Sequence, residues 1–89
     1  MKKLQERYRM ILSIQSAEYI NEYKIKLLFS DNSQQTIDFS DFIFNSRNPM
    51  ICKYIDIEKF KQFNIQYGDL VWNDYELCFP IIDLYNNVI

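Results

Sequence analysis

The chain has 89 residues, 48% hydrophobic and 25% charged, with a formal net charge of −2 and a pI near 5.0. That balance excludes a disordered tail or a membrane span, sets the size at one domain with a thin core, and provides no positive field to gather phosphates. There is no histidine and only one glycine, which removes the usual neutral-pH general base, the commonest metal ligand and any glycine-rich phosphate loop.

The N-terminal Lys2 and Lys3 are followed by Leu4-Gln5-Glu6-Arg7-Tyr8-Arg9, too polar for the apolar stretch of a signal peptide. Residues 1–7 read as a frayed N-terminal segment, and the expected location is the cytoplasm, with Cys52 and Cys78 as reduced thiols. From residue 8 the pattern becomes regular. Tyr8, Met10, Leu12 and Ile14 alternate with polar neighbours, which predicts a half-buried strand over 8–15. Tyr23, Ile25, Leu27 and Phe29 form a second alternation, and Gln35, Ile37 and Phe39 a third. A three-residue loop, Asp31 to Ser33, sets Leu27 opposite Ile37 and Ile25 opposite Phe39, whereas a two-residue loop sets Leu27 opposite Thr36. The apolar match selects the longer loop, because a slip of one residue reverses a whole face. Residues 8–39 are therefore expected to form a first antiparallel meander.

Residues 40–62 carry helix signals: a short turn capped by Ser40 or Asp41, a loop from Asn45 to Pro49, and a second short helix with Asp56 as its N-cap. Ile55 and Phe60 have the spacing of a hydrophobic staple around that cap. A second meander follows over 63–79. A two-residue turn at Gly68-Asp69 faces Tyr67 with Leu70 and Ile65 with Trp72, and a turn at Asn73-Asp74 faces Trp72 with Tyr75 and Leu70 with Leu77. Both turns place Phe63, Ile65, Tyr67, Leu70, Trp72, Tyr75 and Leu77 on one apolar face. The only tryptophan is thus assigned to the core rather than to the mouth of a site. Pro80 opens a C-terminal helix over 80–88, with Ile81, Leu84, Tyr85 and Val88 at helical spacing. The expected fold class is α+β: a small single domain of two antiparallel meanders, short helices and a C-terminal helix.

Several of these residues carry a resemblance. The strand ending in Phe29 with its Ser30-Asp31-Asn32 turn, the Ile37-Asp38 pair, the segment Ile55-Asp56-Ile57-Glu58-Lys59-Phe60, and Trp72 with Pro80 and Leu84-Tyr85 together resemble the bacterial family of small α+β proteins known as domain of unknown function 2442, from about residue 10 to residue 86. Asn73-Asp74 and Asn32 stand where that family often has Pro-Asn-Gly and a hairpin glycine. The resemblance implies a partner of a small, separately encoded protein in a toxin–antitoxin-like pair, and no catalytic residues.

Three function classes are open to these residues. For an enzyme, Asp38, Asp41, Asp56, Glu58, Asp69 and Asp74 are the available carboxylates, and their places at strand ends and helix starts read as caps and turn residues. Cys52 and Cys78 lack zinc-ligand spacing, so no catalytic, cofactor or metal residue is expected. For nucleic acid, Arg9, Lys24 and Lys26 are the candidate basic face, set in an acidic chain. For protein interaction, Tyr19, Ile20, Phe42, Phe44 and Ile51 flank loops rather than lie on the matched strand faces. They are the candidates for an exposed apolar patch that binds another small protein or a second copy.

Overall fold

The computed structural model describes residues 12–89. It is α+β, with two three-stranded antiparallel sheets in sequential order. The first contains β1 (Ile14–Asn21), β2 (Lys24–Phe29) and β3 (Gln34–Asp38). The helical segment comprises α1 (Ser40–Asn45), α2 (Pro49–Cys52), a 3₁₀ turn (Lys53–Ile55) and α3 (Ile57–Phe60). The second sheet contains β4 (Phe63–Gln66), β5 (Asp69–Trp72) and β6 (Leu77–Cys78), and α4 (Ile81–Asn86) follows. Among the described residues, no helix is long and apolar enough to cross a membrane.

The first strand differs from the expectation. Tyr8 to Ile11 lie outside the described residues, and β1 begins only at Ile14 and runs on to Asn21. Its pairing with β2 shifts register between Ile14 and Ser16 and again between Tyr19 and Asn21. Each shift is a bulge that moves the alternation by one residue. A sequence crossing two bulges shows no single period of two, which is why the alternation of Ala17 and Tyr19 on the core side passes unnoticed. β2 does alternate as expected, with Ile25, Leu27 and Phe29 all fully buried.

The β2–β3 register is also corrected. Ile25 pairs with Ile37 and Leu27 with Gln35; the loop is Ser30 to Asn32, closed by the Phe29 N–H on the Ser33 carbonyl (2.9 Å). Asn32 takes the left-handed conformation (φ 72°) after a turn in which its N–H reaches the Phe29 carbonyl (2.9 Å). This is the three-residue hairpin built from a tight turn and a left-handed third residue. Asp31 secures it by accepting from the Ser33 N–H (2.9 Å) and hydroxyl (2.6 Å). The loop has the expected length but begins one residue earlier than expected, so the pairing slides by two and the buried face is preserved.

The second sheet shows the same pattern. Tyr67-Gly68, not Gly68-Asp69, is the two-residue turn, with φ of 54° and 82°, and it pairs Ile65 with Leu70 and Phe63 with Trp72. The β5–β6 loop has four residues, Asn73 to Glu76, and pairs Trp72 with Leu77. Tyr67 and Tyr75 therefore leave the apolar face and become turn residues with positive φ, Tyr67 being 94% exposed. Tertiary contact selects this register. The Gly68 carbonyl accepts from the Ile14 N–H (2.9 Å), and a Cβ at Gly68 would lie 2.7 Å from the Ser13 Cβ. Ser13 also ties the first hairpin: its N–H donates to the Ser30 hydroxyl (3.0 Å) and its carbonyl accepts from the Ser30 N–H (2.7 Å).

The helix ends follow local chemistry. Neither Ser40 nor Asp41 caps α1; the Asp38 carboxylate accepts the Ser40 N–H instead (2.9 Å). Asp56 caps α3 as expected, accepting from the Glu58 N–H (3.0 Å). The expected loop at 45–49 runs into a further helix, α2, in which Asn48 accepts from the Met50 N–H (3.0 Å) and Pro49 occupies the first turn. α4 stops at Asn86 because Asn87 turns left-handed (φ 58°) and the Val88 N–H folds back to the Asp83 carbonyl (2.9 Å). Val88 thereby falls outside the helix and is exposed. The helix lies along β3, with Gln35 Nε2 donating to the Tyr85 carbonyl (2.8 Å) and Asn87 Nδ2 to the Thr36 carbonyl (3.3 Å).

Both sheets and α1, α3 and α4 bury side chains in one core, and α2 packs the half-buried Ile51 against it. Trp72 is fully buried and is ringed by Phe39 (5.6 Å between centroids), Phe60 (5.7 Å), Phe79 (6.1 Å), Tyr54 (6.2 Å) and Phe63 (6.2 Å). Its indole N–H donates to the Phe60 carbonyl (2.8 Å), a helix-end acceptor without an intrahelical partner. Trp72→Phe leaves that buried carbonyl unpaired and is expected to cost about 1–3 kcal/mol, measurable by urea unfolding. Gly68→Ala combines positive φ with the Ser13 clash and is expected to cost a similar amount, about 1–3 kcal/mol, by the same measurement.

Candidate functional site

Two surface regions stand out. One lies at the turn end of the β1–β2 hairpin. Tyr19 on β1 and Tyr23 just before β2 both meet the buried ring of Phe60 edge-on, at 6.4 and 5.3 Å, and Tyr23 in turn meets Phe44 of α1 at 5.2 Å. The Tyr23 hydroxyl donates to the Ile55 carbonyl. The rings thus climb from the core to solvent, ending at Phe44, which is 53% exposed, and Ile55, 40% exposed. Lys61 sits over the Tyr19 ring (5.3 Å), and Lys24 approaches Glu22 at 4.0 Å, so charged groups border the apolar surface.

The interaction candidates divide on this geometry. Tyr19 and Phe44 join the same aromatic series. Ile20 is the unpaired residue at the second β1 bulge and is 42% exposed. Phe42 points away from Phe44, as residues two apart on a helix must, and stacks edge-on against Phe79 (4.9 Å). It lines a separate groove with Asp41, Asn45, Ser46 and Ile89. Ile51 is half-buried against the core. Tyr23 and Ile55 complete the surface and were not singled out from sequence. Tyr23 reads as the first core residue of a strand, and only its ring contact with Phe44 reveals a bridge between core and surface.

The basic candidates are placed differently. Arg9 lies outside the described residues. Lys24 and Lys26 share the outer face of the first sheet, but Lys26 is paired across the ladder with Glu18 and Lys24 with Asp38, whose carboxyl is held low mainly by the Ser40 hydrogen bonds and also by the Lys24 charge. Glu22 adds a third carboxylate there. Asp56 is occupied as the cap of α3, and Asp38 by the Ser40 N–H at the start of α1. Among the described residues, no group of three or more Cys, Asp or Glu side chains is arranged to hold a metal ion. Cys78 is exposed; the half-buried Cys52 donates its thiol to the Ser46 carbonyl (3.0 Å).

The second region is the β5–β6 loop, where Asn73, Asp74 and Tyr75 all have positive φ (48°, 56° and 68°). Such a run is strained for any residue but glycine, least so for Asn and Asp. Glu76 holds it in place. One oxygen, Oε1, accepts from Lys53 Nζ (2.6 Å), the Tyr54 hydroxyl (2.7 Å) and Asn73 Nδ2 (3.1 Å), and the side chain is only 11% exposed. These donors, Lys53 foremost, then Tyr54 and Asn73, hold the Glu76 carboxyl down to about 2. The Tyr54 hydroxyl is pushed upward, chiefly by burial and then by its bond to Glu76 and that residue's charge.

Compared with known proteins, the chain matches no family model, no curated protein and no solved structure. The fold itself defines a small α+β domain with two three-stranded antiparallel sheets around a common aromatic core.

The Glu76 cluster contributes to the acid limb of stability, beside Asp31 and Asp38, whose carboxyls are also held low by hydrogen bonds. A carboxyl whose folded value is about 2, against 4.5 unperturbed, contributes stability that is fully present above the unfolded value and is lost as pH falls through the folded one. Glu76→Gln is expected to lower the thermal midpoint at neutral pH, with the gap from the parent protein shrinking below about pH 4.5 and closing near pH 2. Circular-dichroism melts across that range check it; a gap that stays constant with pH would show that the loss is steric.

Proposed function

We propose that this chain is a non-enzymatic interaction module that binds a small, separately encoded protein, in the antitoxin-like manner implied by its resemblance to domain of unknown function 2442. The observation that carries this reading is the aromatic series Phe60, Tyr23 and Phe44, which runs unbroken from the core to solvent and ends beside Ile55. Aromatic anchors fixed by packing lose little conformational freedom on binding, and tyrosine is enriched among the residues that dominate interface energies. The bordering Lys61, Lys24 and Glu22 suit the polar rim that surrounds such anchors. Nucleic acid is the weaker alternative: Lys24 and Lys26 face Asp38, Glu18 and Glu22 at close range, which cancels the local charge a phosphate backbone would need.

The test is affinity purification of the tagged chain from its host cells, with and without nuclease, beside a Phe44→Asp variant. A stoichiometric small protein is expected to survive nuclease and to fall at least about tenfold with Phe44→Asp. The variant loses the Tyr23 ring contact, so a modest fall in melting temperature is expected while the native circular-dichroism spectrum is retained. Recovery of nucleic acid alone, lost on nuclease treatment, would overturn the reading in favour of the basic-face alternative, and a partner retained undiminished by the variant would move the interface elsewhere.

A further inference from the structure

The Glu76 cluster borders a cleft of about 410 Å³, lined by Lys53, Tyr54, Lys59, Gln62, Asn64 and Asn73, with Trp72 contributing to its wall. The lining is donor-rich: two ammonium groups and three carboxamides converge, and none of these side chains is acidic. Glu76 accepts from Lys53, Tyr54 and Asn73 through one oxygen, so it compensates Lys53 and leaves the other lysine over. Lys59 makes no ion pair among the described residues, although the chain as a whole is acidic. The cleft therefore carries a local charge of about +1 within an overall charge of −2.

One wall of the cleft is fixed before any ligand arrives. Lys53 and Asn73 are both bonded to Glu76, Tyr54 is buried, and Trp72 is held by the Phe60 carbonyl. Lys59 projects from α3, whose first turn is capped by Asp56. A volume of this size falls within the range of small-molecule sites, and its polar lining suits a ligand that brings its own charge and acceptors. The full burial of Trp72 leaves no indole face free for a base to stack upon.

From this geometry we infer that the cleft is a binding site for a compact small molecule bearing one anionic group, a phosphate or a carboxylate. Lys59 supplies the charge, and the Gln62, Asn64 and Asn73 carboxamides hydrogen-bond the anion and its polar substituents. The site is separate from the aromatic surface around Phe44, and neither assignment depends on the other.

The full chain labelled with ¹⁵N is titrated at constant ionic strength with inorganic phosphate and, separately, with acetate, following the side-chain NH₂ signals of Gln62, Asn64 and Asn73. Saturable shifts of these signals are expected with at least one of the two anions, and the anion that saturates at lower concentration identifies the headgroup. Lys59→Ala should weaken binding at least about tenfold, as loss of a charge-assisted contact predicts. Lys59→Arg should restore most of it, and Lys61→Ala, at the other surface, should change nothing. Lys59 is exposed, so the unchanged Trp72 indole N–H signal serves as the check that the variant is folded. Non-saturating shifts with both anions, or equal affinity in Lys59→Ala, would overturn the assignment.

Discussion

The packing of this domain turns on the indole of Trp72. It belongs to the second sheet, yet the rings against it come from the end of the first sheet (Phe39), the helical segment (Tyr54, Phe60), its own sheet (Phe63) and the chain just beyond β6 (Phe79). In a chain of this size the area available for burial is small, and large rings meeting edge-on gather more of it per residue than aliphatic side chains do. Phe39 repeats the pattern, touching Phe60 (5.9 Å) and Phe79 (5.2 Å) as well as Trp72. The hydrogen bond from the indole to Phe60 fixes which way round this cluster sits, and so where α3 stands relative to β5. From that placement follow both surface regions: Phe60 carries the aromatic series outward on one side, and Lys59 beside it enters the cleft.

A second constraint is the joint at Ser13 and Gly68. The two sheets are not hydrogen-bonded into one, but the chain entering β1 touches both hairpins, through Ser30 on one side and Gly68 on the other. The single glycine of the sequence lies where positive φ and close backbone approach are required together. Elsewhere the chain reaches left-handed geometry with Asn32, Asn73, Asp74 and Asn87, whose short polar side chains tolerate it. Glu22 (φ 47°), Tyr67 and Tyr75 are also left-handed and have no such tolerance. Tyr75 offsets part of its cost by donating its hydroxyl to the Gln66 carbonyl (3.2 Å), and the Glu76 contacts hold the adjoining loop.

Charge is distributed to local purposes over this surface. Asp31, Asp38, Asp56 and Glu76 are each engaged by hydrogen-bond donors, and no polar or charged side chain is buried among the described residues. What remains free for recognition is therefore uneven: an apolar aromatic surface at one place, and one uncompensated lysine in a cleft lined by carboxamides at another. These two chemistries suit a protein partner and a small anion respectively, and they occupy different sides of Phe60.

Much of the architecture was legible in the sequence because it depends on short-range rules. Alternation marked β2, β3 and β4, Asp56 marked the start of α3, and the two apolar alternations flanking Gly68 marked a hairpin with Trp72 on its inner face. Tyr67 and Tyr75 apart, the faces were read correctly even where the pairings were not, since each hairpin slid by two residues and a shift of two preserves the side of the sheet. The particular turns were beyond local reading. Tyr67-Gly68 prevails over Gly68-Asp69 because Ser13 and Ile14, more than fifty residues earlier, meet Gly68 there. β1 was hidden because two bulges break its period. The aromatic surface was half visible: Tyr19 and Phe44 could be suspected from their positions beside loops, but Tyr23 joins them only through its ring contacts with Phe60 and Phe44, and Ile55 through its carbonyl on the Tyr23 hydroxyl. Sequence by itself determined which residues are apolar enough to form strands and which can bend the chain. Tertiary packing decided where each turn falls and which aromatics remain at the surface, because those choices rest on contacts between segments distant in the chain.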